Sequence, residues 1–184
     1  MSAEEHKRQA PALADIRIAV VTVSDTRTPE TDVGGQLVRD LCRQAGAVVT
    51  STVIVPDDAA RVAAHVRTLV SNNEGAPRSI HAVLLTGGTG IARRDTTVEA
   101  LAGLFDKTLD GFGELFRMLS FQEVGAAAML SRATAGVIDG VVVFLMPGSP
   151  KAVRLAMERL ILPELGHLIG QLGGRGSGGG HAHR

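Results

Sequence analysis

The sequence is poor in cysteine, which cross-links small proteins through disulfides, and in the aromatic residues that stack on nucleic-acid bases. Its 184 residues include one cysteine, Cys42, and neither tryptophan nor tyrosine. A single cysteine excludes an intramolecular disulfide and indicates a reducing compartment. The five phenylalanines are scattered along the chain, so an aromatic platform for single-stranded nucleic acid is not expected.

The sequence also lacks an excess of charge of one sign and a long apolar run. Nineteen Lys and Arg residues match nineteen Asp and Glu residues, so the formal net charge is zero. This balance argues against the electrostatic attraction that proteins binding nucleic acids or membrane surfaces depend on. No apolar run approaches the roughly 18 residues of a membrane-spanning helix, and the polar N-terminal segment does not resemble a secretory signal. We therefore expect a cytoplasmic protein with neither nucleic acid nor membrane as a partner.

The order of apolar segments predicts one α/β domain at 15–172. Residues 1–14 and the glycine-rich residues 173–184 lack apolar periodicity, and we expect them to be disordered tails. Four apolar, mostly β-branched runs predict strands at 16–24, 48–55, 81–86 and 141–146. Segments with helical spacing predict helices at 34–46, 59–70, 97–104, 112–121 and 124–130, and a last helix that begins at Pro150 and kinks or breaks around Pro163. This alternation predicts three layers, a mostly parallel sheet with helices on both faces.

Polar or glycine-rich turns follow all four predicted strands. The residues in these turns are Ser24 and Asp25, then Asp57, then Thr86, Gly87, Gly88, Thr89 and Gly90, and finally Pro147, Gly148 and Ser149. Taken singly, each fits an ordinary turn or helix cap. In a parallel α/β sheet, however, ligands bind beyond the carboxyl ends of the strands. The convergence of these turns therefore predicts a ligand site at that edge.

The glycine turn after the third predicted strand has the character of an anion cradle. Glycine lets backbone N–H groups approach a phosphate closely, although neither a Walker A loop nor a complete dinucleotide fingerprint is present. Arg94 and Asp95 follow, and they could grip phosphate oxygens and hold Mg²⁺, or pair with each other in a solvated turn. With Asp57, two carboxylates flank the cradle, as metal-assisted phosphoryl or nucleotidyl transfer requires.

Two further segments carry residues suited to ligand binding. Glu114, in the run GFGELFR, could cap a helix or accept hydrogen bonds from the N–H groups of a ligand ring. Ser131 and Arg132 could offer a hydroxyl and a guanidinium to an anionic ligand, or form a surface turn. The apolar residues Phe116, Met118, Leu119 and Phe121 exceed what one small helix usually buries, which indicates either self-association or simple core packing.

In combination, the segments TVSDTR, VPDD, TGGTGIARRD, GFGELFR, SRATAG and MPGSPKA resemble the MoaB/Mog family of molybdenum cofactor biosynthesis proteins. The resemblance covers about residues 16–167. It implies a molybdopterin-binding α/β fold of the MoaB/MogA type, assembled as a homotrimer or as a hexamer of two trimers, with other proteins of the same biosynthesis as further partners. It also implies a molybdopterin adenylyltransferase, which uses Mg²⁺ and ATP to adenylylate molybdopterin and releases pyrophosphate.

The resemblance further implies roles for individual residues. Asp57 and Asp95 match two functionally important aspartates of the family, and we assign them to catalysis and to Mg²⁺. The nucleotide and phosphate cradle is assigned to Gly87, Gly88, Thr89 and Gly90, and the pterin side to Ser24, Asp25, Glu114, Ser131, Pro147, Gly148 and Ser149. Thr86, Arg94 and Arg132 are further candidates for cofactor binding. Some MoaB-branch members have lost acidic site residues, so the alternative is a non-catalytic protein that binds molybdopterin or acts in assembly. Retention of Asp57 and Asp95 favours the enzyme.

Overall fold

The computed structural model describes residues 11–71 and 80–173. Most of the two predicted tails, at 1–10 and 174–184, therefore lies outside the described residues. Residues 11–14 are described, and they lead into a short 3₁₀ turn, Leu13–Asp15, whose Leu13 packs against the core. Within the described ranges, no helix is long and apolar enough to cross a membrane.

Six strands form one mixed sheet in the order β2-β1-β3-β6-β5-β4. They are β1 Arg17–Val23, β2 Val48–Val55, β3 Ala82–Thr86, β4 Lys107–Thr108, β5 Thr134–Ile138 and β6 Val141–Met146. The first three strands and β6 are parallel, whereas β5 runs antiparallel to both of its neighbours, β6 and β4. The structure confirms the predicted mostly parallel sheet and adds two strands, of which β5 is reversed.

The strand β5 was missed because its sequence, TAGVI, carries alanine and glycine where a strand usually carries branched residues. Gly136 is nevertheless required there, since a Cβ at this position would collide with the Phe105 ring. Asp139 and Gly140, with φ of 48° and 73°, form the two-residue turn to β6. An Asp-Gly pair between apolar segments is a strong hairpin signal, so the sequence contained the information needed to find β5.

The helices are α1 Val33–Gln44, α2 Ala59–Ser71, α3 Thr97–Ala102, α4 Asp110–Val124, α5 Pro150–Ala156 and α6 Leu162–Gly173. Ser149 caps α5 as predicted, because its Oγ accepts a hydrogen bond from the Ala152 N–H at 3.3 Å. The helix predicted at 124–130 is present as the 3₁₀ helix Gly125–Leu130. A break at Pro163 is absent, because the last helix passes from α5 to α6 through the π-helical stretch Met157–Ile161, which ends two residues before this proline.

Two apolar layers cover the sheet, one on each face. Along β1, Ile18 and Val20 belong to one buried cluster, whereas Ala19 and Val21 belong to the other. Alternation follows from the period of two in a strand. The first cluster includes buried residues of α1, α4, α5 and α6, and the second those of α2 and α3. Burial on both faces explains why β1 is a continuous apolar run, and the three predicted layers are confirmed.

The parallel strands end level with one another. Thr22 of β1 is aligned with Thr86 of β3, which is aligned with Met146 of β6, and Val23 is aligned with Val55 of β2. The chain moves from β1 to β2 on one side of the sheet and to β3 on the other. A parallel sheet opens a crevice at such a reversal, so the turns that follow these strands meet at one edge.

Candidate functional site

The glycine turn after β3 is built so that its backbone can approach neighbouring groups closely. Gly87 and Gly88 have φ of 105° and 64°, values that side chains other than glycine rarely adopt. A Cβ at Gly87 would collide with the Val23 carbonyl, and one at Gly88 would collide with Thr97 Oγ1 and lie 2.9 Å from Asp57 Oδ1. Only glycine therefore fits these two positions.

Thr97, the first residue of α3, anchors the glycine turn through two hydrogen bonds. Its buried hydroxyl donates to the Gly87 carbonyl at 3.2 Å, and its N–H donates to the Gly88 carbonyl at 3.2 Å. Thr97 was not predicted as a site residue, because threonine at the start of a helix is also typical of a cap. The hydroxyl of the preceding residue, Thr96, is buried and has no hydrogen-bond partner.

Asp57 brings a buried carboxylate oxygen to the same turn. Its N–H donates to Asp25 Oδ1 at 3.0 Å, so the ends of β1 and β2 are tied together. Asp57 Oδ1 is buried and lacks a hydrogen-bond partner. Burial raises the pKa of Asp57, and the nearby carboxylates of Asp25 and Asp95 raise this pKa further, whereas Arg94 lowers it. The predicted residues from three strand ends therefore act on one another electrostatically.

Asp95 lies in the loop that follows the glycine turn. Its Oδ2 accepts a hydrogen bond from the Ala92 N–H at 2.8 Å, and its own N–H donates to the Ala92 carbonyl at 2.9 Å. A Cβ at Gly90 would lie 2.7 Å from Asp95 Oδ2. Arg94 is exposed and its charge reaches Asp57. The loop thus holds the Asp95 carboxylate against the cradle.

A cavity of about 400 Å³ lies between α4 and the segment leading into β5. The predicted residues Glu114, Ser131 and Arg132 all line it, together with Arg117 and Thr134. Arg117 was not predicted, although it stands three residues after Glu114 and such spacing puts both on one helix face. Its Nη1 donates to the Ala133 carbonyl at 3.2 Å. Glu114 thus lies in this cavity rather than at the strand ends.

Arg132 links the cavity to the glycine turn. Its Nε donates to the Gly90 carbonyl at 2.9 Å and its Nη2 to the Asp95 carbonyl at 2.7 Å, while Nη1 pairs with Glu99. Its backbone N–H also donates to the Thr89 carbonyl at 3.1 Å. All three guanidinium nitrogens therefore have protein acceptors.

The remaining predicted residues make the local contacts of turns and caps. Ser24 Oγ accepts hydrogen bonds from two N–H groups of its own turn, each at 3.2 Å, and Ser149 caps α5. Thr86 is buried, and its hydroxyl donates to the Pro147 carbonyl at 3.1 Å. Gly148 lies beside Gly87, since a Cβ on Gly148 would be 3.5 Å from Gly87 Cα. These residues shape the edge of the sheet on either side of the crevice.

The donor set suits a cation that is completed by a phosphate ligand. Across residues 11–71 and 80–173, no group of three or more metal-ligating side chains occurs. Mg²⁺ is commonly held by one or two carboxylates together with substrate phosphates and water. The unpartnered buried oxygen of Asp57 and the neighbouring carboxylate of Asp95 fit that pattern.

Comparisons with known proteins agree with this arrangement. The family described as "Probable molybdopterin binding domain" matches residues 19–167. Molybdenum cofactor biosynthesis protein B of Bacillus cereus is 51% identical over 173 residues, covering 94% of this chain and 98% of the relative. The protein of the same name from Bacillus subtilis is 48% identical with the same coverage.

Solved structures show the same similarity. A crystal structure of a molybdenum cofactor biosynthesis protein B shares 51% identity at a TM-score of 0.78, covering 85% of this chain and 95% of that one. The tungsten cofactor synthesizing protein MoaB from Pyrococcus furiosus shares 38% identity at 0.70, covering 85% and 96%. A MogA structure shares 26% identity at 0.73, covering 85% and 99%. The chain therefore belongs to the MoaB/Mog family of molybdenum cofactor biosynthesis proteins.

Proposed function

We propose that this chain is a molybdopterin adenylyltransferase that uses Mg²⁺ and ATP and releases pyrophosphate. The observation that carries the proposal is the unpartnered buried Oδ1 of Asp57 beside the Gly88 turn. An unsatisfied carboxylate oxygen is costly in an apolar setting, and a site that awaits a positive ligand accounts for it. ATP as co-substrate also favours the cytoplasm, the expected location.

The reaction needs no covalent intermediate on the protein. An oxygen of the molybdopterin terminal phosphate forms a bond to the α-phosphorus of ATP, and the bond from that phosphorus to the β-phosphate oxygen breaks. Pyrophosphate carries away the electron pair. The protein's task is then alignment and offsetting of negative charge. This agrees with the absence of an activated nucleophile at the described strand ends and with a buried Cys42, whose pKa is raised to about 12 by burial.

Each group of the site has a part in this alignment. The glycine turn Gly87 to Gly90 lets the backbone approach the phosphates, and Arg94 adds positive charge near them. Asp57 and Asp95 would hold Mg²⁺, which when bound neutralises phosphate oxygens during transfer. Ser24 and Asp25 shape the neighbouring turn and hold the Asp57 backbone in place.

We assign the cavity beside α4 to the pterin ring. Its volume of about 400 Å³ falls within the range of small-molecule sites. A pterin presents N–H donors and a carbonyl along one edge. The Glu114 carboxylate can accept from those donors, and the Arg117 guanidinium can donate to the carbonyl. Ser131 and Thr134 add hydroxyls to the same wall.

An adenylyl-transfer assay tests the proposal. Purified protein is mixed with molybdopterin, ATP and Mg²⁺, and adenylyl-molybdopterin and pyrophosphate are measured. Asp57→Asn and Asp95→Asn are each expected to reduce turnover roughly a hundredfold or more, as for other groups that stabilise transition-state charge. The matched control is Asp58→Asn, because Asp58 is exposed and caps α2 through the Arg61 N–H at 2.8 Å, a role that asparagine keeps. Full turnover in Asp57→Asn would contradict the assigned role.

A second candidate is a molybdopterin-binding or assembly protein without turnover. It is favoured by the use of Asp95 Oδ2 as an acceptor within its own loop, which also accounts for that residue structurally. Bound molybdopterin without any pyrophosphate release by the wild-type protein would overturn the enzyme proposal and support this alternative.

We further propose that the chain associates with copies of itself through α4 and the 3₁₀ helix after it. Phe116 is buried in the core, and Leu119 packs against it. Met118 and Phe121, in contrast, are 53% and 61% exposed. Further exposed apolar side chains extend this surface, namely Leu115, Val124, Met129 and Leu130. Such a concentration of exposed apolar side chains on one helix and the turn after it favours an interface, as a trimer or a hexamer of two trimers would require.

A further inference from the structure

Arg132 lies between the glycine turn and the cavity beside α4, and its guanidinium donates hydrogen bonds to protein acceptors. It precedes β5, forty-two residues from Gly90 and thirty-seven from Asp95, yet it donates to both of their carbonyls. Its third guanidinium nitrogen pairs with Glu99 of α3. A planar guanidinium can bind several acceptors at fixed angles, which the ammonium of lysine cannot reproduce.

The loop that Arg132 holds has few other anchors. Residues 91–94 are exposed. Within the loop, the Ala92 and Asp95 backbone groups bond to each other and to the Asp95 carboxylate. The two carbonyls bound by Arg132 stand at the start and at the end of this loop, and the Thr89 carbonyl just before it accepts the Arg132 backbone N–H. One residue therefore fixes both ends of the segment that carries Asp95.

We propose that Arg132 is a positioning residue that keeps the Asp95 carboxylate in place beside Asp57, and that it is not a ligand for the substrate phosphates. The proposal rests on the proposed function, because the placement matters only if Asp95 acts on the nucleotide. Glu99 supports Arg132 by pairing with the guanidinium from α3. Arg117, the other arginine of the cavity, binds only the Ala133 carbonyl among the contacts described and serves as the matched comparison.

The first test is amide hydrogen exchange of the whole, ligand-free protein. Arg132→Lys is expected to raise exchange in peptides covering residues 89–95 about tenfold, the effect of losing roughly one net hydrogen bond. Exchange in β1 and β3 is expected to stay unchanged, and Arg117→Lys is expected to leave residues 89–95 unchanged. Unaltered exchange at 89–95 in Arg132→Lys, or a rise spread through β1 and β3, would overturn the proposal.

The second test separates positioning from binding by kinetics. Arg132→Lys is expected to lower kcat by between about ten- and a hundredfold, the range for a misplaced reacting group, with the KM for molybdopterin and for ATP changed little. Arg117→Lys is expected to raise the KM for molybdopterin instead. A large rise in KM with kcat preserved in Arg132→Lys would show a ligand-binding residue and overturn the proposal.

The two tests distinguish a failure of this proposal from a failure of the proposed function. If the wild-type protein has no adenylyl-transfer activity, the proposed function fails, while the exchange experiment still decides whether Arg132 holds the loop. If Arg132→Lys does not fold, Glu99→Gln takes its place, since it removes only the charged partner of the guanidinium. Glu99→Gln is expected to raise exchange at residues 89–95 by a smaller factor, and unchanged exchange there would count against the proposal.

Discussion

At the scale of single residues, Asp57 shows how a site can work against stability. Its carboxylate is partly withdrawn from water, lacks a partner for one oxygen and faces other carboxylates. Each of these conditions disfavours the charged form. The same conditions leave an oxygen ready for a positive ligand. The folded protein thus keeps at this position a charge that the unfolded chain would solvate freely.

A stability measurement on the metal-free and nucleotide-free protein checks this reasoning. Because the pKa of Asp57 in the folded state is raised above its ordinary value, ionisation of Asp57 lowers the free energy of unfolding at neutral pH. That loss diminishes as the pH falls through the raised pKa and is gone below the unfolded pKa, where both states are protonated. Asp57→Asn is therefore expected to raise Tm at pH 7, with the gain over wild type shrinking as the pH approaches 4.

The exposed neighbour Asp58 again supplies the comparison. Its carboxylate caps α2, and Asp58→Asn keeps that cap, so it is not expected to show the same gain. A Tm for Asp57→Asn at or below that of the wild type at pH 7 would refute the unfavourable ionisation of Asp57.

At the scale of elements, the β5–β6 hairpin depends on its two-residue turn. Gly140 has φ of 73° and follows Asp139, whose φ is 48°. A side chain at such a φ costs about 1–2 kcal/mol. Gly140→Ala is therefore expected to lower the free energy of unfolding by about that amount, measured by urea denaturation.

Gly103 is the matched control for this change. It caps α3 with φ of −80°, and a Cβ there would meet nothing within 4 Å. Gly103→Ala is expected to leave the stability unchanged or slightly higher, because alanine loses less backbone entropy on folding. Equal losses in the two variants would show that the turn geometry does not set the cost.

Elements also show which parts of the fold were predictable. The strands β1, β3 and β6 are buried on both faces, so each reads as an apolar run. The edge strand β2 is fully buried only at Val55, and its β-branched residues indicate a strand instead. The strand β4 consists of two exposed residues, Lys107 and Thr108, and carries no such pattern.

The π-helical stretch within the last helix was not predicted for a different reason. Buried residues recur every four positions at 153, 157, 161, 165 and 169, and an α-helix would rotate this row by about 40° at each step. The wider π turn at Met157–Ile161 compensates for part of that rotation.

The site was predictable in part for equally physical reasons. Asp57 and the glycine turn directly follow strands, so chain order alone indicates their place. The partners of Arg132 lie 33 to 42 residues away in sequence, and nothing local indicates them. Arg117 was not predicted, although the sequence shows it three residues after Glu114. A Glu and an Arg at that spacing are also typical of an ordinary solvent-exposed helix face.

At the scale of the whole molecule, one helical surface remains uncovered while both faces of the sheet are filled. The helix α4 packs its buried side on the sheet, whereas six apolar side chains of α4 and of the 3₁₀ helix after it are exposed. Burying such side chains contributes about 1.5–3 kcal/mol each relative to full exposure. In a cyclic trimer, these side chains would pack against a different surface of the neighbouring copy.

Sedimentation velocity checks the proposed self-association. The wild-type protein is expected to sediment as a trimer or hexamer, and Phe121→Asp as a monomer, because a charge would be buried in the interface. Val33→Lys is the control, since Val33 is 56% exposed and belongs to a different helix, α1. A wild-type monomer, or an unchanged assembly in Phe121→Asp, would refute the assignment of the interface.

The parallel strands all end at the same edge of the sheet, and this has a practical consequence for labelling the protein. The chain enters β1 at Arg17, β2 at Val48 and β3 at Ala82, all at the edge opposite the site. Even the five residues of β3 separate the two edges by roughly 17 Å. Attachment of a label, a surface linker or a fused domain at the entry side therefore leaves the proposed nucleotide and pterin sites open for measurement.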